Sequence, residues 1–323
     1  MNEIMNQYEL LAPFQNKNAG FSRWTYAIKN GKKYFLKEFL NPVYPTDDAL
    51  SDELRKQRIY DCVAYEGKKR RLYKAINNAS HGNLVRIEEF FRYDNHYYIA
   101  TERIIDTKIA IKAIPAVSFD NRLMICKSIA FEMMNLHRAG IVHADIKEDN
   151  ILIKVTHPKG KLIGKIIDMD ASFFESDPPK YEEDLVCDQV YMAPEACQFI
   201  CGEPVKLTCK MDVFSLGILF HQYLTGKLPD YDLNEYDYAY EAVLDDQKLQ
   251  VSAGVPFLLQ EMINGMLECE PEKRMSMDTV YSILCAVDMG EKTDKHDSGT
   301  KDSEADNRTV KSEGGWFHSP GDL

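Results

Sequence analysis

The chain is expected to fold as an α+β protein with two unequal lobes. Three observations support this: β-prone alternation runs to residue 103 around one helical stretch, helical spacing takes over after Pro115, and composition breaks near Gly290. Residues 8–40 alternate turn-like and β-prone runs: Tyr8 to Phe14, the aromatic-rich Phe21 to Lys29, the turn Asn30-Gly31, and Lys33 to Phe39. This pattern predicts a β-meander. From Ser51 to about Asn77, Leu54, Ile59, Cys62, Val63, Leu72 and Ile76 recur at helical spacing without proline, predicting one long helix or two short ones. Leu84 to Phe91 and Tyr97 to Arg103 are two further strands, joined at Asp94-Asn95, which completes a unit of five strands and a helix.

Beyond Pro115, Ser118 can cap a helix whose apolar positions Leu123, Ile125, Ile129, Met133 and Leu136 run to a stop at Gly140. Lys210 to Gly226, Val255 to Glu268 and Met277 to Val287 are three more helices. From Gly290 onward Gly, Ser, Asp, Glu and Lys dominate, as in a disordered tail, with Trp316-Phe317 the exception. No internal repeat is found.

With 323 residues and 45% apolar content the chain can bury a sizeable core. A net charge of −12 argues against nucleic acid or an anionic membrane as partner. No apolar run is long enough to span a bilayer, and Met1 to Asn6 lacks a secretory start, so a cytoplasmic protein is expected. The eight cysteines form no CxxC pair and are expected to be reduced. Cys197 and Cys201 could share a helix face but have no further ligands for a metal.

Chemistry is concentrated in three runs: His143-Ala144-Asp145-Ile146-Lys147-Glu148-Asp149-Asn150, then Asp168-Met169-Asp170, then Tyr191-Met192-Ala193-Pro194-Glu195. In order and spacing they resemble the His-Arg-Asp-Leu-Lys-x-x-Asn, Asp-Phe-Gly and Ala-Pro-Glu runs of the protein kinase superfamily, Ser/Thr type. The resemblance covers residues from about 8 to 288. It implies a bilobal fold, with an ATP-covering lobe over 1–103, a catalytic and substrate-binding lobe over 104–289, and the tail over 290–323. ATP and Mg²⁺ are the implied cofactors and a protein the implied substrate, because small-molecule phosphotransferases of related fold lack the Ala-Pro-Glu segment. Lys147 after Asp145 points to Ser/Thr specificity.

By the same resemblance Asp145 is the catalytic base, Lys147 touches the transferring phosphate, Asn150 holds a second Mg²⁺, and Asp168 makes the main Mg²⁺ contact. Lys37, within Tyr34-Phe35-Leu36-Lys37-Glu38-Phe39, resembles the lysine that pairs with the α- and β-phosphates. Mid-strand among apolar residues it needs a partner. Glu66 on the following helix is the expected one and Glu53 the rival, since an apparent insertion between Leu40 and Ser51 shifts the register. The phosphate-covering loop, Lys17 to Trp24, has a single glycine: Ala19, Gly20 and Ser22 are small enough for backbone N–H groups to approach phosphate, with Phe21 and Trp24 at its apolar positions. Thr101 matches the gatekeeper, and Glu102 to Ile104 the hinge that bonds adenine.

Several positions depart from the family pattern. Met169 can fill an apolar slot as Phe does, but Asp170 stands where glycine would allow wider backbone angles. Ala144 replaces an arginine that grips phosphorylated loops, so activity independent of phosphorylation at Ser172, Ser176 or Tyr181 is expected. Asp188 replaces a threonine and is expected to ion-pair with Lys147. These departures keep a weakly active or inactive nucleotide-binding scaffold open as the alternative. Glu195 with Arg274, and Asp212, match the structural ion pair and the anchor of the catalytic loop. The tail residues Ser298, Ser303, Ser312 and Ser319 could form an autophosphorylation or partner-docking segment.

Overall fold

The computed structural model describes residues 4–16, 22–46, 51–104, 109–156, 158 and 160–297, with backbone alone from 289 onward. The smaller lobe is a six-stranded antiparallel sheet of β1 (Ile4–Met5), β2 (Tyr8–Leu10), β3 (Ser22–Lys29), β4 (Lys32–Phe39), β5 (Ile87–Tyr93) and β6 (His96–Glu102), in the order β1-β2-β3-β4-β6-β5. The first short strand is additional to the expected five. Asn30 and Gly31 both adopt positive φ, 54° and 74°, as a two-residue hairpin requires to match the twist of β3 and β4.

Strand alternation divides the lobe's side chains between two faces. Ala27, Leu36, Tyr98 and Ala100 pack with Tyr8, Leu10 and Phe91 on one face. The register places Trp24 opposite Lys37, Lys37 opposite Ile99, and Phe35 opposite Thr101, so these side chains share the other face. Helix α1 (Asp52–Ala79) covers part of that second face as one continuous element of 28 residues. Ser51 caps it by accepting the Leu54 N–H, and Asp52 and Glu53 oppose the positive end of the dipole. Cys62, Leu72, Tyr73 and Ile76 are buried, and ring contacts join Tyr65 to Tyr97 and Tyr73 to Phe90.

The larger lobe is built around α2 (Phe119–Arg138), which stops before Gly140 at φ 66°. Ser118 stands at the N-cap, but its side chain makes no capping bond. Two small antiparallel pairs follow: β7 (Ile141–Val142) with β10 (Phe173–Phe174), and β8 (Ile151–Val155) with β9 (Leu162–Ile166). Helices α3 (Pro194–Ile200), α4 (Lys210–Thr225), α5 (Ala239–Leu244), α6 (Phe257–Met266) and α7 (Met277–Asp297) complete the lobe. Helix α4 is buried nearly all round, which accounts for its apolar sequence. It ends at Gly226, φ 84°, where an added Cβ would lie 2.6 Å from Pro115. Helix α7 runs on to Asp297, past the expected start of the tail at 290. The tail serines and Trp316-Phe317 lie outside the described residues.

Candidate active site

The loop between β7 and β8 carries the first chemical run, and a buried carboxylate from α4 holds its backbone. Asp212 Oδ2 accepts the His143 N–H at 2.8 Å, Oδ1 accepts the Ala144 N–H at 2.9 Å, and the His137 ring lies 3.0 Å from Oδ2. Ala144 adopts φ 69°, a left-handed conformation that costs a non-glycine residue energy and is sustained here by that bond. The Asp145 N–H donates to His143 Nδ1, so Nε2 is the protonated ring nitrogen facing the Ile167 carbonyl at 3.3 Å.

Three residues singled out from sequence meet on this loop. Lys147 Nζ lies 2.9 Å from Asp145 Oδ2, and Asn150 Nδ2 donates to the same carboxylate at 2.9 Å and to the Asp145 carbonyl at 2.7 Å. Both Asn150 bonds use its amide nitrogen, which makes the carbonyl oxygen the atom it can offer a cation. Burial alone would lower the Lys147 pKa, but the Asp145 contact, with Asp188 and Asp168 behind it, raises it above the ordinary lysine value. The expected Lys147–Asp188 pair does not form. Asp188 instead accepts the N–H of Val190 at 3.0 Å, because the tight turn leading to Tyr191 brings that amide closer than the ammonium.

Beyond β9, Asp168 adopts φ 58° and meets the small lobe. Lys37 Nζ lies 2.8 Å from Asp168 Oδ2 and 2.5 Å from Asp170 Oδ2. The expected partner, Glu66, is turned along α1 to Arg70 at 2.7 Å, and Glu53 is exposed in the first turn. The reason is helical phase: the apolar residues that seat α1 place Tyr65 against Tyr97 of the sheet and Lys69 toward the segment after β9, and leave Glu66 at the margin of the buried stripe. Lys69 Nζ donates to the Asp170 carbonyl at 2.6 Å. Burial would raise the Asp168 carboxyl, but Lys37 draws it below its ordinary value. Burial and the Asp168 charge push Asp170 up, against the pull of Lys37 and Lys69.

Trp24 stacks on Phe35 with ring centroids 5.4 Å apart, on the sheet face that carries Lys37. Ala19 and Gly20 lie outside the described residues. Thr101 and Glu102 end β6, and Ile104 packs against the core. Glu102 pairs with Lys165 of β9 and accepts the Arg86 N–H, so its side chain links the lobes. Below the loop, Arg274 grips Glu195 in two bonds of 2.7 and 2.8 Å, with both side chains buried. Sequence reasoning treated Asp170 only as a conformational departure and did not find Lys69. The usable signal was the basic run Lys68-Lys69-Arg70-Arg71, together with the lack of any acidic residue from Gly67 to Ile87.

Comparison with known proteins gives the family of the chain. The protein kinase domain family profile matches residues 56–283. The match begins within α1, so Lys37 and β1–β4 precede it. Similar proteins include an Aurora kinase of Schizosaccharomyces pombe, 26% identical over 219 residues covering 67% of this chain and 58% of that protein. The ovarian-specific serine/threonine-protein kinase Lok of Drosophila melanogaster is 29% identical over 223 residues, 64% of this chain and 43% of Lok. Calcium-dependent protein kinase 4 of Plasmodium falciparum is 30% identical over 163 residues, 49% of this chain and 29% of that protein. The chain therefore spans 58% or less of the length of these relatives.

Proposed function

Because the chain belongs to the protein kinase family, we propose that it transfers the γ-phosphoryl of ATP to Ser and Thr hydroxyls of protein substrates. The observation that carries this reading is the convergence of Lys147 and Asn150 on the Asp145 carboxylate. Mg-ATP, when bound, supplies the phosphoryl group and the divalent charge that offsets its oxygens. The donor set fits: the Asp168 carboxylate and the Asn150 carbonyl are hard oxygen ligands of the kind magnesium takes before completing its shell with phosphate and water.

In this reading Asp145 orients the acceptor hydroxyl and takes its proton. Lys147 brings positive charge to the same place, and Lys37 is the ammonium assigned to the α- and β-phosphates. The backbone of Glu102 and Ile104, beside Thr101, is the edge assigned to adenine, with Trp24 on the roof. Glu66 has no place in this set.

Activity without loop phosphorylation is part of the proposal. Position 144 offers no cation, and the Ser172 hydroxyl is buried against the His143 carbonyl at 3.3 Å. Phosphatase treatment should leave the rate unchanged.

A second reading is favoured by one observation, the engagement of Lys37 with both Asp168 and Asp170. It makes the chain a nucleotide-binding scaffold, in which the tail or another surface recruits a partner. The deciding experiment is transfer of radiolabelled phosphate from Mg-ATP to the chain itself and to a generic basic protein. Labelling that falls by about 10²- to 10⁴-fold in Asp145→Asn supports the kinase reading. Intact ATP binding with no labelling in either protein favours the scaffold.

A further inference from the structure

We propose that Asp170 is the positioning residue for Lys37, taking the place of an acidic side chain from α1. This inference rests on the kinase reading of the same site. It follows first from where the helix carboxylates are. Helix α1 has four, and none meets Lys37: Asp52 and Glu53 are exposed in the first turn, Asp61 accepts from Gln57, and Glu66 is held by Arg70.

Charge across this contact is arranged with cations on the helix and carboxylates on the segment after β9. Lys69 donates to the Asp170 carbonyl at 2.6 Å, Lys68 and Arg71 reach Asp177 at 3.2 and 3.5 Å, and the Arg71 guanidinium lies 5.0 Å from the Phe174 ring centre. A glutamate from α1 would be redundant there, because the segment brings its own carboxylate to Lys37 at 2.5 Å.

The two carboxylates on Lys37 then divide the work. With Asp168 committed to a hard cation, an ammonium as enclosed as that of Lys37, 12% exposed, would be costly without a second counter-charge. Asp170 retains that counter-charge and keeps Lys37 directed along the sheet face it shares with Trp24 and Thr101. A glycine at position 170, the residue of the family pattern, would remove it.

The test combines Asp170→Asn, Asp170→Gly and Lys37→Met with the double variant Asp170→Asn/Lys37→Met. Direct Mg-ATP binding, KM for ATP, kcat and thermal stability are measured on the full chain. Asp170→Asn and Asp170→Gly are each expected to weaken Mg-ATP binding and kcat/KM on the order of 10- to 100-fold, with the melting temperature close to native. The double variant should bind about as weakly as Lys37→Met alone, because Asp170 acts through that lysine. Native-like affinity in Asp170→Gly, or losses that add in the double variant, would overturn the proposal. A native chain that binds Mg-ATP but transfers nothing would sink the kinase reading, while the binding cycle would still decide the role of Asp170. A native chain that does not bind Mg-ATP would sink both.

Discussion

Around Asp212 and Glu195 each carboxylate oxygen has its own donor, whereas at the lobe junction two carboxylates share the ammonium of Lys37. The first region is nearly sealed: the side chains of Arg274 and Glu195 are 0% and 3% exposed. At the second, Asp168 and Asp170 are 32% and 25% exposed, so water can take over part of their solvation. The difference teaches which charges hold the fold and which are available to move. A sealed and fully bonded pair is expensive to break, while a shared and partly wet one can exchange partners when a cation or phosphate arrives.

The largest effect that would sharpen this contrast is at the sealed pair. Arg274→Leu leaves the Glu195 carboxylate buried without a donor and should cost about 3–5 kcal/mol of stability in a denaturant titration. Replacing both partners with apolar residues should recover only part of that loss, because Arg274 also donates to the carbonyls of Lys210, Glu268 and Cys269. A cost below about 1 kcal/mol for Arg274→Leu would show that the pair is not the support its burial implies.

Asp212→Ala should cost a comparable amount in folding but more in rate. It removes the acceptor of two backbone amides, at about 1–3 kcal/mol for each one left buried and unpaired. It also frees the loop that presents Asp145, so phosphate transfer should fall with Mg-ATP affinity nearly unchanged. Equal losses of affinity and rate would mean that Asp212 supports the whole cleft and not this loop alone.

The smallest expected effect is at a polar site far from the lobe junction. Burial holds the His221 pKa below the ordinary histidine value of 6.5, although the Lys227 carbonyl at 2.8 Å opposes that shift. The Ser252 N–H donates to its other ring nitrogen at 3.1 Å, a bond that only the neutral ring can accept. The folded protein therefore binds this proton less readily than the unfolded chain does. Its contribution to stability is full above pH 6.5 and is lost as pH falls below that value toward the lower folded pKa. Stability measured at descending pH should show this slope in the native chain and lose it in His221→Gln; an unchanged slope would place the proton elsewhere.

Much of this architecture was legible in the chain because its determinants are local. Asn30-Gly31 specifies a hairpin whatever surrounds it, Gly226 stops α4 by its backbone freedom, and the apolar spacing from Leu123 to Leu136 outlines α2. Asp145, Lys147 and Asn150 lie within one six-residue stretch, so their meeting on one loop needed little more than that loop's turn. The end of α7 was missed because polar residues continue a helix as readily as they form a tail. The Lys147–Asp188 pair was misjudged because a backbone amide two residues away is a nearer partner for Asp188 than an ammonium across the cleft.

By itself the sequence determined five strands of the smaller lobe, the helices α1, α2, α4, α6 and α7, and the loop that carries Asp145, Lys147 and Asn150, since these follow from periodicity, turn chemistry and short spacings; β1, β7 to β10, α3 and α5 are too short for periodicity to reveal. Only the tertiary structure decided which carboxylates meet Lys37. Each residue turns a helix by about 100°, so packing of Cys62, Leu72, Tyr73 and Ile76 against the sheet sets the phase of α1. That phase turned Glu66 toward Arg70 and brought Lys69 to Asp170, a pairing across 101 positions that local spacing does not encode.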